Sequence, residues 1–174
     1  PMDFTPGVLD ILRTTADGDP PQNHEARIRT TVAKQLALYV VLWSPMQMAA
    51  DLPDNYEGHP AFPFIREAPV DWEETRVLSG RIGDHVVVAR RERGGDEWYL
   101  GAITDEEART VEVSLDFLGT GSWTAEIYAD GSEAHWKDRP LELEVREETV
   151  EAGSTLSLRL APGGGQAIRF RPGG

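Results

Sequence analysis

Carboxyl groups are the most abundant reactive chemistry in this chain, with thirty Asp and Glu among 174 residues. At that density any two acids fall close together somewhere, so placement carries the information. An α/β unit presents its working groups at the C-terminal ends of its strands. Two acids fit that position. Asp51 follows the apolar run 46–50, and Asp3 sits in the short strand-like stretch Met2, Asp3, Phe4 before a Thr5, Pro6, Gly7 turn. Such a carboxylate accepts hydrogen bonds from a substrate hydroxyl or steadies a reacting neighbour. Each also has a structural reading. Asp3 caps the turn that follows it, and Asp51 caps the short helix that Pro53 helps to start.

Other chemistry-bearing residues are scattered. Tyr56 and His59 lie on the loop after Asp51, as part of a subsite rim or as packing. His24, His85 and His135 lack the spacing of a zinc site, and there is no cysteine. Ser44 and Ser154 have no nucleophile elbow around them. Gly163, Gly164 and Gly165 read as a hairpin, because no strand–GxxxxGK–helix context surrounds them. Trp98, Trp123 and Trp136 form either a sugar-stacking platform or ordinary core, and Trp72 reads as a plug at a junction.

Two different rhythms position these residues. Residues 35–56, QLALYVVLWSPMQMAADLPDNY, are the most apolar stretch of the chain. A helix is expected from about 24 to 43, with Asn23 as its N-cap and Ile28, Val32, Leu36, Tyr39, Val40 and Trp43 on one stripe. Its second half is apolar all round, which implies burial on more than one side. Pro45 ends it. Residues 46–50 then read as a buried strand, giving the helix–strand–acid order of a parallel α/β unit. From residue 75 the period changes to two. Strands are expected at 76–81, 85–91, 97–103, 110–115, 123–128, 141–147, 155–160 and 167–170, separated by Gly and Asp turns. Val111, Val113 and Leu115 alternate with Glu112 and Ser114, as in a strand with one dry face. Short strands at this spacing predict an antiparallel sandwich. The fold class is therefore α+β, with an α/β section at 1–74 and an all-β section at 75–174.

The charge excludes some partners. Thirty acids face 17 bases, a formal net charge of −13, and only Lys34 and Lys137 are lysines. Such a surface repels nucleic acid and anionic membranes. A high-salt organism and an Arg-favouring genome explain the bias equally well. No apolar run approaches the ~20 residues that span a bilayer. Pro1 and Met2 do not read as a natural start, and the front shows no signal peptide, so a segment upstream is expected.

The strings PMDFTPG, AKQLALYVVLWSPMQMAADLPDNYE, PVDWEETRVLSGRIGDHVVVARR, EWYLGAITDEEART and WTAEIYADG, in that order, resemble the C-terminal part of glycoside hydrolase family 97. Members are α-glucosidases and α-galactosidases with a central (β/α)₈ barrel between two β-sandwiches. The resemblance implies that residues 1–74 are the last βα units of the barrel and residues 75–174 the C-terminal sandwich. Glycoside hydrolysis needs two carboxyl groups flanking the scissile bond, one of them protonated. The family's catalytic carboxylates and calcium ligands lie upstream of PMDFTPG. The resemblance thus implies no catalytic residue and no calcium ligand here, and a piece inactive alone that completes and braces the barrel. It implies calcium for the parent enzyme, an α-linked oligosaccharide as its substrate, and the upstream barrel as this piece's partner. Inversion and retention stay open, as do glucoside and galactoside. A free-standing carbohydrate-binding module and a subunit of a split enzyme are the alternatives. The apolar helix and residues 46–50 need covering, so self-association is expected.

Overall fold

The computed structural model describes residues 4–12 and 28–173. Eight strands are present: β1 Trp72–Arg81, β2 His85–Glu92, β3 Trp98–Thr104, β4 Arg109–Ser114, β5 Ser122–Asp130, β6 Leu143–Glu151, β7 Thr155–Leu160 and β8 Gly165–Pro172. All eight expected strands form, several with wider bounds. They pair antiparallel throughout, in a six-stranded sheet of order β1-β2-β3-β8-β5-β6 and a two-stranded sheet of β4 and β7. Between the two sheets lies the first core, with Trp98, Leu100, Val113, Leu115, Ile127, Leu158, Ile168 and Phe170. Alternation in β4 works as expected, since Val111 and Val113 are buried and Glu112 and Ser114 are exposed.

Three helices cover the outer face of the large sheet: α1 Val32–Val41, α2 Pro53–Tyr56 and α3 Phe62–Glu67. They enclose a second core. Val32, Leu36, Ala37, Tyr39 and Val40 of α1, Tyr56, Phe64 and Trp72 pack on Tyr99, Tyr128 and Ala167 of the sheet. Strands β3 and β8 are therefore buried on both faces, which is why WYLGAIT reads as a nearly continuous apolar run. Close approach of α1 depends on two glycines. A Cβ at Gly101 would lie 2.6 Å from the Ala37 carbonyl oxygen, and one at Gly165 would lie 2.8 Å from Lys34 Cα.

Three sequence expectations need correction. The helix begins at Val32 rather than near residue 24, because Thr31 caps it: its hydroxyl accepts a hydrogen bond from Lys34 N at 3.2 Å. Residues 28–31 are not helical, and this β-branched, hydroxyl-bearing stretch favours a cap over a helix interior. The expected cap Asn23 lies outside the described residues. Residues 46–50 are neither a strand nor buried; Met46 and Met48 are exposed. This stretch runs beside the residues around Pro6, with Ala50 N donating to Pro6 O at 3.0 Å. A parallel strand needs neighbours on both edges, and a sheet is not formed there. Finally, Gly163, Gly164 and Gly165 are not a hairpin. They carry the chain from β7 in the small sheet to β8 in the large one, with Gly163 at φ +64° beneath the Trp136 side chain.

The α1 helix itself has no exposed apolar face needing a partner, since both of its apolar sides are covered within the chain. That part of the case for self-association does not hold. Met46 and Met48 are exposed apolar side chains outside α1.

Candidate functional site

The strongest polar cluster lies where α1, α2 and the segment 6–10 converge. Pro53 starts α2, which sets Asp51 two residues ahead of it and Leu52 at the N-cap. Asp51 Oδ2 accepts hydrogen bonds from Leu9 N and Asp10 N, both at 2.7 Å. Its Oδ1 accepts from Leu52 N at 2.8 Å and Asn55 Nδ2 at 2.6 Å. Burial pushes this carboxyl up, but the amides of Asp10, Asn55, Leu52 and Leu9 outweigh it and hold the group below its ordinary value. Asp51 is thus a charged latch that ties residues 9–10 to the start of α2.

Three more side chains complete the latch. Gln35 Oε1 accepts from Gly7 N at 3.0 Å and Val8 N at 3.2 Å. Tyr56 donates to Gly7 O at 2.8 Å and accepts from Asp51 N at 2.9 Å. The Tyr39 hydroxyl lies between Pro6 O at 3.1 Å and Met48 O at 3.2 Å. Burial raises the Tyr39 and Tyr56 hydroxyls above their ordinary pKa, so both act as neutral donors. Gln35 and Tyr39 are polar groups four residues apart on an apolar helix, a spacing that puts them on one face. That signal was present in the sequence and points here.

Asp3 lies outside the described residues. Tyr56, besides its hydroxyl's place in the latch, is buried and stacks its ring on Phe62 at 5.2 Å, so it does not form an exposed rim. His59 Nδ1 accepts from Ala61 N at 3.1 Å, and burial lowers its pKa despite the pull of Asp51. Trp98 and Trp123 are in the sandwich core, which rules out a platform made from them. Trp72 is buried edge-on to Tyr99 at 5.5 Å, in the core between the helices and the sheet.

A second charged cleft, of about 270 Å³, lies between α3 and the sheet and holds Glu67, Glu126, Glu147, Arg169 and Arg171. Arg169 grips Glu97 with two hydrogen bonds of 2.7 and 3.0 Å and also pairs with Glu67. Hydrogen bonding from Arg66, with added pull from Arg169, holds Glu67 below its ordinary value. These pairs make Glu67 and Arg169 an ion-pair tether for α3. Among the described residues no three His, Asp or Glu side chains gather as a metal ion requires. The oxygens of Asp51 are already taken by four N–H donors.

Comparison with known proteins agrees with this architecture. Residues 71–171 match the family model described as glycosyl-hydrolase 97 C-terminal, oligomerisation. The chain is 40% identical over 173 residues to a retaining alpha-galactosidase of Bacteroides thetaiotaomicron, covering 98% of this chain and 25% of that protein. Among solved structures, a glycoside hydrolase family 97 enzyme from Pseudoalteromonas sp. strain K8, in complex with acarbose, superposes with a TM-score of 0.90 and 50% identity. The match covers 98% of this chain and 26% of that one. A beta-arabinopyranosidase superposes with a TM-score of 0.77 at 27% identity, over 97% of this chain and 25% of that one. The chain spans about a quarter of the length of each relative.

Proposed function

Because the chain belongs to the glycoside hydrolase family 97 C-terminal family, we propose that it is the C-terminal portion of a retaining α-glycosidase, bracing the catalytic barrel of the parent enzyme. One observation carries this reading. The second core locks α1 onto the sandwich, and α1 in turn holds the segments 6–10 and 48–51 through Gln35, Tyr39 and the Asp51 latch. Those two segments lie side by side, joined by Ala50 N to Pro6 O. In this reading they become the ends of the last two barrel strands once the upstream barrel supplies their neighbours. Residues 1–74 are then barrel and residues 75–174 are sandwich.

In this reading the reaction is hydrolysis of a terminal α-galactoside or α-glucoside. The acid and the nucleophile come from upstream strands, and calcium is bound there too. This chain contributes no catalytic residue. Asp51 acts by fixing the backbone of residues 9–10 beside the substrate rim of the parent enzyme. The sandwich is not expected to choose the sugar, since proteins similar to this chain include an alpha-galactosidase and a beta-arabinopyranosidase. Self-association follows from the family's description as an oligomerisation domain.

The competing reading is a free-standing sugar-binding module. Trp43 and Trp136 are the tryptophans that keep some exposure, so their fluorescence reports a bound sugar. Titration of the 174-residue chain with galactose or maltose is expected to give no saturable change up to millimolar sugar. A saturable change would move the module reading ahead.

A further inference from the structure

An oligomerisation domain needs a surface, and the six-stranded sheet offers two edges, β1 and β6. Within residues 71–171 the large apolar side chains exposed among the described residues are Val77 and Ile82 on one side and Leu141 and Val145 on the other. Charge separates the two. Strand β6 carries Glu144, Glu147, Glu148 and Glu151 against Arg146 alone on the strand, and although Arg146 pairs with Glu144 and Glu148 and Arg171 reaches Glu147, the strand keeps an excess of acid. Two copies meeting there would set acid against acid, on a protein of formal net charge −13. Such an edge is guarded. Strand β1 balances Glu73 and Glu74 with Arg76 and Arg81, and both arginines are paired, Arg76 with Glu74 at 2.6 Å and Arg81 with Asp84 at 3.1 Å.

The β1–β2 turn also has the shape of a self-complementary contact. Ile82 stands at its tip fully in solvent, at 104% relative exposure. Ile82 itself forms one wall of a cleft of about 460 Å³, with Lys34, Gly80, Val86 and Ile103 and with the charged Arg81 and Asp84 at its edge. The Lys34 ammonium is occupied at the Thr104 carbonyl, 2.6 Å away, which leaves its aliphatic stem to the cleft. Val77 extends the same apolar face: a Cβ at Gly80 would lie 3.9 Å from Val77 Cγ1 and 3.8 Å from Val86 Cγ2. A knob and a hole thus lie next to each other on one surface. A two-fold axis at the turn places each Ile82 in the cleft of the other copy, which is the geometry an isologous dimer requires.

We propose that the β1–β2 turn, with Ile82 as knob and the adjoining cleft as socket, is the surface through which two copies of this chain associate. The proposal rests on the self-association reading above. Sedimentation velocity of the 174-residue chain over a range of concentrations tests both. The wild type is expected to dimerise. Ile82→Asp is expected to weaken the dimer by roughly a hundredfold or more, because a symmetric contact loses the side chain twice. Val77→Lys weakens it in the same direction, and Val145→Lys leaves it unchanged. Both Val77 and Ile82 are exposed, so melting curves of the variants should match the wild type. A wild-type chain monomeric at every concentration would overturn self-association and the surface together. A dimer that survives Ile82→Asp and Val77→Lys, or that Val145→Lys dissociates, would overturn the surface alone.

Discussion

Gly101→Val is expected to lower the melting temperature of this chain by roughly 10 °C, corresponding to about 3 kcal/mol of overpacking in a protein this size. Strand propensity argues the other way, because valine ordinarily suits a strand interior better than glycine. The close approach of α1 decides. A Cβ at Gly101 would stand 2.6 Å from Ala37 O, 2.9 Å from Val40 Cβ and 3.0 Å from Val41 Cγ2. The nearest of these is helix backbone, which cannot rotate aside. The helix must lift, and the second core, with Leu36, Tyr39, Phe64, Trp72 and Tyr99, opens with it. Circular dichroism melts measure the loss, and Trp72 emission should shift red at the same temperature. An unchanged or raised melting temperature would mean that α1 is not seated on β3 as described.

Asp51→Ala is the second large effect, expected to cost about 2 kcal/mol, since it strands the N–H groups of Leu9, Asp10 and Leu52 in a partly solvated site. Its pH dependence has a definite sign. The folded-state pKa of Asp51 is depressed, so its contribution is present above the ordinary carboxyl value of about 4 and is lost as pH falls through the folded-state value. The stability gap between wild type and Asp51→Ala should therefore be widest near neutrality and close on acidification. Hydrogen exchange gives the local readout: the amides of Leu9 and Asp10 should lose protection in the variant. Protection unchanged in these two amides would remove the latch.

The strands were legible because the period of two and the glycine turns are local properties of the chain. The partners of those strands were not. Alternation in 110–115 says that one face is dry, but not that β4 pairs with β7 apart from the other six. The triple glycine has the composition of a hairpin and instead crosses between sheets, a matter of which strands it joins. Residues 46–50 are apolar enough to read as a buried strand, yet burial belongs to the neighbours, and none flank this stretch as a sheet. Asp51 was found from its place after that stretch and near Pro53. Its role was not legible, because the donors that occupy it, Leu9 and Asp10, lie more than forty residues away. The Gln35 and Tyr39 pair was missed, because Tyr39 reads as part of the apolar stripe and the backbone groups it and Gln35 hold lie far off in sequence. The Ile82 knob was not, since only the fold shows that a turn residue stands beside an apolar cleft.

The measurement that bears most directly on the central assignment is turnover of aryl α-galactosides and α-glucosides, with calcium present, by the 174-residue chain and by a longer chain carrying the upstream barrel. The expected result is hydrolysis by the longer chain and none by the 174 residues, which brace a site they do not contain. Calcium-dependent hydrolysis by the 174-residue chain alone would contradict it.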